Sequence, residues 1–300
     1  PEGPLADGQV RLKMLAAPVN PADLNLIAGT YGRHPGLPSV AGLEGCGEVI
    51  ESRSPDFATG DLAMALRPVG SWAAQAIADP ANLFRIPAGI DPLQAAMLKV
   101  NPATAWRLLT GFAELPAGAW VIQNAANSAV GRCVIVLAKY LGLRTINLVR
   151  RGELIGELKA LGADEVFLDS DEIPEDFGGE RPRLAFNCVG GESSLRLLKR
   201  LGHGGIHITY GAMARRPVTV TARSLIFDDI QVRGLWITRW VETAPAAEVQ
   251  AVYQKLSSLM LEGVLAIPVD STYALAEFPA ALVRLDAPER QGKILFTPGV

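Results

Sequence analysis

Residues 121–151 read VIQNAANSAVGRCVIVLAKYLGLRTINLVRR, and this stretch decides the fold. It opens with an apolar run, passes through a small-residue turn at 125–128, and continues with apolar residues at helical spacing over 134–141. Gly142 ends the helical pattern, and a β-branched run follows over 145–149. The pattern predicts a strand–helix–strand unit of a parallel sheet. The exposed amides at the start of its crossover helix would attract an anion.

The turn after the first strand is an incomplete dinucleotide fingerprint. The pattern G-x-G-x-x-G falls on Ala126, Ser128 and Gly131, so only the last glycine is present, and the match taken alone is weak. Alanine and serine still let a backbone come close to a pyrophosphate. The side chains of Asn124, Asn127 and Ser128 can offer donors in place of a bare glycine turn.

Two arginines follow the second strand, where an NAD site carries an acidic residue about 20 residues after the fingerprint. The planar forks of Arg150 and Arg151 suit a ribose 2′-phosphate, because a guanidinium binds phosphate through two parallel hydrogen bonds. The alternative is that both form only a solvated basic strand end. We favour the phosphate, which predicts NADPH rather than NADH.

Composition indicates a globular chain of two domains. The chain has 300 residues, 49% of them hydrophobic, with 28 basic and 31 acidic side chains and a net charge of −3. This balance favours neither nucleic acid nor anionic lipid as a partner. No apolar run reaches the roughly 20 residues of a membrane span, and no signal-peptide pattern opens the chain, which indicates a soluble intracellular protein. The first residue, Pro1, leaves room for a removed leader or further N-terminal segment.

The three cysteines stand far apart in the sequence. Cys46, Cys133 and Cys188 form no C-x-x-C pair, and the chain contains only three histidines. A disulfide framework and a zinc site are therefore not expected. Each cysteine is interpreted as a small buried hydrophobe.

The pattern of predicted strands, turns and helices changes near residue 100. Before it, short strands and turns dense in glycine and proline predict a compact β-rich domain, and after it strands and helices alternate as in a doubly wound sheet. The tail ends in a strand over 293–296, which we expect to rejoin the first domain. The predicted ranges are 1–99 for the β-rich domain, 100–237 for the dinucleotide-binding domain and 238–300 for the return.

Motifs along nearly the whole chain resemble a known family. They are APVNPADLNLIAGTYG at 17–32, VNPATAWRLL at 100–109, NAANSAVG at 124–131, NCVGG at 187–191, TYGAM at 209–213 and LWITRW at 235–240. The sequence resembles the medium-chain dehydrogenase/reductase superfamily, and within it the 2-enoyl thioester reductases of mitochondrial fatty acid synthesis. The resemblance implies an α/β protein with a GroES-like β-rich catalytic domain, a Rossmann doubly wound parallel sheet domain inserted into it, and an active site in the cleft between them.

The resemblance also implies chemistry without zinc. Zinc-dependent members carry G-H-E in the early domain, and the corresponding residues here are Gly42, Leu43 and Glu44, so the metal-binding histidine is absent. Tyr31 matches the family's proton donor. A phenol stays protonated at neutral pH and can donate to a forming enolate or its α-carbon. The alternative is that Tyr31 packs in a turn with its hydroxyl on a backbone carbonyl.

The remaining residues carried over from the family concern NADPH. They are Asn101, Asn127, Ser128, Ala129, Val130, Arg150, Arg151, Gly152, Tyr210, Gly211, Ala212, Met213, Leu235, Trp236, Ile237, Thr238 and Lys293. Among these, Gly152 departs from the family, which often has a third basic residue after the arginines. Trp236 has the alternative of being simple core.

The leading hypothesis is an NADPH-dependent reductase of trans-2-enoyl thioesters on coenzyme A or acyl carrier protein. The alternatives are a zinc-free NADPH:quinone reductase and a non-catalytic, crystallin-like NADPH-binding protein. The resemblance implies a homodimer joined at the edge of the Rossmann sheet. It predicts a location in the cytoplasm for a bacterial source and in the mitochondrial matrix for a eukaryotic one.

Overall fold

A computed structural model of the chain describes residues 3–287 and 289–299. The backbone divides into two compact units, Pro1–Ala103 with Val241–Val300, and Thr104–Trp240. These boundaries fall four and three residues after those predicted from the sequence. The unit that contains both chain ends is called the split unit, and the other is called the inserted unit.

Each element takes its number from its order along the chain. The elements are β1 Val10–Pro18, α1 Pro21–Ile27, β2 Cys46–Ser52, β3 Leu62–Ala65, β4 Gln75–Ala78, β5 Leu83–Arg85, α2 Pro92–Met97, α3 Asn101–Thr110, β6 Trp120–Gln123, α4 Ala129–Tyr140, β7 Arg144–Val149, α5 Leu154–Leu161, β8 Glu165–Leu168, β9 Leu184–Asn187, α6 Gly191–Arg200, β10 Ile206–Thr209, α7 Ala222–Ile226, β11 Gln231–Gly234, α8 Ile237–Thr243, α9 Ala246–Leu261, β12 Val269–Tyr273, α10 Phe278–Leu285 and β13 Lys293–Phe296.

The split unit is built around β1. This strand pairs antiparallel with β2, β4 and β13, within a sheet ordered β12-β13-β1-β2-β3-β5. Val10, Leu12 and Met14 alternate along β1 and are fully buried against the core, which fixes the strand's register. The C-terminal tail returns to this sheet as expected, because Phe296 of β13 pairs with Ala17 of β1.

The inserted unit is a parallel sheet ordered β11-β10-β9-β6-β7-β8. The chain runs outward from β6 through β7 to β8, and then returns to the other side of β6 at β9. The strand order therefore reverses beside β6. In open α/β sheets, ligands bind at such a reversal, outside the carboxyl ends of the strands. The prediction of a β-rich domain with a doubly wound parallel sheet is confirmed.

Several of the elements that the sequence does not predict are short. They are the helices α7, α8 and α10 and the strand β12. The motif LWITRW at 235–240 begins just after β11, which ends at Gly234, and runs into α8, which begins at Ile237. Short elements with few buried residues have weak periodicity, so pattern alone does not separate them from loops.

The described residues contain neither a membrane-spanning helix nor a cluster of metal ligands. No helix in this part of the chain combines the length and apolarity that crossing a bilayer requires. Within residues 3–287 and 289–299, no group of three or more His, Cys, Asp or Glu side chains is arranged to hold a metal ion. The three cysteines are buried, as predicted, and each is a free thiol in the structure.

Candidate active site

The segment after β6 forms a turn closed onto the start of α4. Ser128 caps the helix, and its hydroxyl accepts from the backbone N–H of Gly131 at 3.1 Å. A Cβ on Gly131 would lie 2.5 Å from the carbonyl oxygen of Ala126, so backbone packing excludes every larger residue there. The surviving glycine of the fingerprint is thus the one that lets helix and strand pack closely.

The predicted pyrophosphate residues lie at the amino end of α4. Asn127 is exposed, while Ser128, Ala129 and Val130 are half-buried. The helix has 12 residues, and its first amides and macrodipole favour an anion at this end. The local geometry therefore fits a pyrophosphate, although direct contact with a cofactor stays a prediction.

The predicted 2′-phosphate residues follow the neighbouring strand. Arg150, Arg151 and Gly152 are exposed and come directly after β7, which lies beside β6. The Nε of Arg151 lies 3.5 Å from a carboxylate oxygen of Glu153. Because parallel strands end at the same edge of a sheet, the arginines share that edge with the turn after β6. Their role toward a phosphate stays a prediction.

Arg132, which the sequence analysis does not single out, braces the turn after β6. Its Nε donates to the carbonyl oxygen of Asn127 at 3.2 Å, and its guanidinium pairs with Glu157 of α5. The residue follows the last fingerprint glycine directly, which is the one sequence signal that could have suggested it.

Asn124 does not have the role that its sequence position suggests, which is to donate hydrogen bonds to a pyrophosphate. It is fully buried, and its amide nitrogen donates to the side chains of Asn187 at 2.8 Å and Ser193 at 2.9 Å. Its side-chain oxygen accepts from the backbone N–H of Cys188 at 2.9 Å. The side chain of Asn124 therefore links the ends of β6 and β9 through hydrogen bonds. The suggestion that Asn124 offers donors to a phosphate is not supported by this geometry.

The next predicted segments follow β10 and β11. Tyr210 and Gly211 are half-buried, and Ala212 and Met213 are exposed. The Tyr210 hydroxyl is buried, and within the described part of the chain it makes no hydrogen bond of normal geometry; Cys188 and Ser128 are among its polar neighbours. Burial raises the pKa of this phenol well above its usual value.

Beyond β11 the segment 235–238 leads into α8. Leu235 and Trp236 are half-buried, and Ile237 and Thr238 are buried. The backbone N–H of Leu235 donates to the carbonyl of Thr209 at 3.0 Å. These segments share the carboxyl edge of the sheet with the turn after β6.

In the split unit, Tyr31 follows the end of α1. The backbone N–H groups of Thr30 and Tyr31 both donate to the carbonyl oxygen of Asn25, at 2.8 and 3.1 Å, which fixes the chain as it leaves the helix. At the other end of α1, Asp23 accepts from the backbone N–H of Asn20 at 2.8 Å. Tyr31 is half-buried. Its catalytic role stays a prediction.

Asn101 begins α3 and is 6% exposed. Its side-chain amide nitrogen is buried and has no hydrogen-bond partner among the described residues. A buried donor without a partner costs about 1–3 kcal/mol. An acceptor on a bound ligand would remove that cost, and this fits the predicted contact with the nicotinamide side of NADPH.

A cluster of buried charges lies next to the start of α1 and the start of α3. Its members are Asp23, Glu44, Lys99 and Lys293, each at most 6% exposed. Burial raises the pKa of both carboxyl groups and lowers the pKa of both ammonium groups, while the opposite charges oppose these shifts. No sequence pattern predicts this cluster, because its members lie far apart along the chain.

Lys293 is predicted to be a distal cofactor contact, and the structure gives its ammonium other partners. The nitrogen donates to the carbonyl of Val19 at 2.8 Å and to the side-chain oxygen of Asn20 at 2.5 Å. Both partners lie in the split unit. The cofactor contact stays a prediction, and a structural role is observed.

Comparison with known proteins defines the class first. Residues 6–88 match the family model of the alcohol dehydrogenase GroES-like domain, and residues 129–257 match that of the zinc-binding dehydrogenases. A GroES-like domain joined to a Rossmann-type sheet is the domain combination of the medium-chain dehydrogenase/reductase superfamily.

Individual relatives define the family within that class. A mitochondrial enoyl-[acyl-carrier-protein] reductase of Xenopus tropicalis is 40% identical over 292 residues, which cover 92% of this chain and 83% of the relative. The chain therefore belongs to the family of mitochondrial-type enoyl-[acyl-carrier-protein] reductases.

Solved structures share the fold of both units taken together in one chain, and they include Etr1p and a quinone reductase. The complex of Etr1p with NADP and crotonyl-CoA is 28% identical, with a TM-score of 0.88, over 98% of this chain and 92% of that one. The Etr1p/Etr2p heterodimer of Candida tropicalis is 27% identical, with a TM-score of 0.87, over the same shares. A putative NADPH:quinone reductase of Bacillus thuringiensis is 28% identical, with a TM-score of 0.90, over 99% of this chain and 92% of that one.

Proposed function

We propose that this protein reduces trans-2-enoyl thioesters to acyl thioesters with NADPH as the hydride donor. The observation that carries the proposal is the 40% identity to an enoyl-[acyl-carrier-protein] reductase over 92% of the chain. The edge of the inserted sheet supports it, because a capped helix start and two exposed arginines follow adjacent strands. The acyl carrier, coenzyme A or acyl carrier protein, is part of the same proposal.

The described residues fit NADPH in three respects. The start of α4 offers amides to a pyrophosphate, and Arg150 and Arg151 offer guanidiniums to a 2′-phosphate. Asn101 has a buried amide nitrogen for which the described residues offer no hydrogen-bond partner. When bound, NADPH supplies the hydride that the β-carbon of the enoyl group accepts. Tyr210 to Met213, Leu235 to Thr238 and Lys293 are the further proposed contacts.

The protein supplies binding, orientation and one proton. Addition of hydride at the β-carbon moves negative charge onto the thioester oxygen, and a proton must then reach the α-carbon. Tyr31 is the proposed donor, because its phenol O–H can donate to the enolate or directly to the α-carbon. The hydrogen bonds of Thr30 and Tyr31 to Asn25 hold this residue at the end of α1.

The first test separates thioester reduction from quinone reduction, which the fold of the Bacillus relative favours as a second candidate. Stopped-flow oxidation of NADPH is followed with crotonyl and hexenoyl thioesters and with a panel of benzoquinones. We expect turnover with the thioesters. Turnover of quinones alone would refute the proposal in favour of the quinone reductase. Tight NADPH binding without turnover of either would favour a binding protein.

Replacement of the proposed proton donor should slow the reaction without loss of cofactor. We expect Tyr31→Phe to lower turnover by about 10²–10⁴-fold, the range for a positioned general acid. The NADPH dissociation constant should stay unchanged, because the phosphate-binding segments lie in the inserted unit. Steady-state kinetics and fluorescence titration measure the two. The control is Tyr140→Phe at the end of α4, and an undiminished rate in Tyr31→Phe would remove Tyr31 from the mechanism.

The paired arginines should select the 2′-phosphate. We expect Arg150→Ala with Arg151→Ala to weaken NADPH binding by about 10²-fold, because hydrogen bonds between charged groups contribute about 1.5–3 kcal/mol each. NADH binding should change little. Titration of both cofactors measures the ratio. Arg183→Ala is the control, since this exposed arginine precedes β9 at the opposite edge of the same sheet. Equal losses for NADPH and NADH would refute the assignment.

A homodimer is the proposed assembly. Among the described strands β11 pairs with β10 alone, and all four of its residues are exposed. Shortly before it in the chain, Leu225, Ile226 and Phe227 are 49%, 69% and 69% exposed. An unpaired strand edge flanked by exposed apolar side chains is a ready surface for a second sheet. Mitochondrial location for a eukaryotic source, or the cytoplasm for a bacterial one, belongs to the same proposal.

Light scattering after size exclusion tests the assembly. The wild type should have twice the chain mass of 31.9 kDa. Ile226→Asp with Phe227→Asp should halve it, because two charges would be buried without partners. Val283→Asp, at an exposed residue of α10, should leave the dimer intact. A monomeric wild type would refute the proposal.

A further inference from the structure

Glu44 is the buried carboxylate to which the proposed reaction assigns nothing. The residue is 1% exposed and follows a loop that leads into β2. Each of its two carboxylate oxygens accepts a hydrogen bond from a different segment of the split unit. Oε1 accepts from the side-chain nitrogen of Asn20 at 2.7 Å, and Oε2 accepts from the backbone N–H of Val100 at 2.8 Å.

The two partners of Glu44 stand next to the two residues proposed to act in the split unit. Asn20 is the residue before α1. At the other end of this helix, the carbonyl of Asn25 accepts from the backbone N–H of Tyr31. Val100 is the residue before Asn101, which begins α3. One carboxylate group therefore joins the start of the helix that leads to the proton donor with the start of the helix that presents the nicotinamide contact.

The buried lysines complete this arrangement from two further segments. Lys99 donates from its ammonium to the carbonyl of Leu43 at 2.6 Å, beside Glu44 itself. Lys293 of β13 donates to the side-chain oxygen of Asn20. Asn20 thus lies between a cation and an anion, accepting from one and donating to the other. A buried carboxylate with both oxygens satisfied and cations nearby is held in one orientation.

We infer that Glu44 is a positioning residue, whose carboxylate sets the relative placement of Tyr31 and Asn101 through Asn20 and Val100. The inference rests on the proposed function, because both residues take their roles from it. Glu44 acts through the backbone of α1 and α3 and makes no contact with the reacting atoms. Misplacement of reacting groups by about 1 Å costs about 10²-fold in rate. Loss of the carboxylate should therefore slow hydride and proton transfer far more than cofactor binding.

The first variant is Glu44→Gln, which keeps the volume and removes the charge. An amide has one acceptor oxygen, so it cannot accept from both Asn20 and Val100. Single-turnover reduction of crotonyl-CoA at saturating NADPH should slow by about 10²-fold. The NADPH dissociation constant should stay within about threefold, because the phosphate-binding segments lie in the inserted unit. Glu51→Gln on the exposed face of β2 is the matched control and should leave both quantities unchanged.

The second variant restores the bonds with their polarity reversed. In Glu44→Gln with Asn20→Asp, the new amide nitrogen can donate to the new carboxylate, and the amide oxygen can accept from Val100. The other carboxylate oxygen can accept from Lys293, and the buried charge is unchanged in number. Aspartate also caps helices as well as asparagine does. The double variant should recover the single-turnover rate to within about tenfold of wild type, and it keeps the test decisive if Glu44→Gln alone fails to fold.

Four outcomes would overturn the inference. A wild-type rate in Glu44→Gln would do so, and so would a folded double variant with native thermal stability whose rate remained depressed. Equal losses of rate and NADPH affinity in Glu44→Gln would indicate general loss of structure. A wild-type protein that binds NADPH but reduces no enoyl thioester would overturn the proposed function together with this inference, whereas the first three outcomes leave the proposed function intact.

Discussion

Burial of opposite charges is the constraint on which the split unit depends. Two carboxyl and two ammonium groups are removed from water, and each alone would cost several kcal/mol. Their cost is offset only if all of them keep their partners, so the segments that carry them must adopt one arrangement. That arrangement fixes the first turn of α1 and of α3 more narrowly than apolar packing would, because hydrogen bonds are directional and hydrophobic contacts are not.

The inserted unit uses neutral groups for the same purpose. Asn124, Asn187 and Ser193 join the ends of β6 and β9 and the start of α6 with no net charge. Neutral amide and hydroxyl groups suit the proposed binding site of the dinucleotide phosphates, since a fixed carboxylate there would repel the phosphates. The two units thus fix these segments with different chemistry, buried ions in the split unit and neutral hydrogen-bonding groups in the inserted unit.

The sequence was a good guide where the signal is local. The turn from Ser128 to Gly131, the strands β6 and β7 and the paired arginines all lie within one short stretch, and periodicity with cap residues predicts them directly. The buried cluster could not be predicted in this way. Glu44 meets Val100 across 56 residues and Lys293 meets Asn20 across 273, and no spacing rule connects residues so far apart. Asn124 was located correctly but misinterpreted, because sequence does not give the direction of a side chain.

The pairing of β13 with β1 has a consequence for biosynthesis. Residues 104–240 form the inserted unit from one continuous stretch, so this part of the chain can fold while translation is still in progress. The split unit lacks Lys293 and β13 until residues 293–296 have been synthesised, so Asn20 gains its ammonium partner 273 residues after its own synthesis. A nascent chain would therefore complete its parallel sheet before it completes the sheet of the split unit. Premature chain termination would give a folded sheet domain without a completed catalytic half.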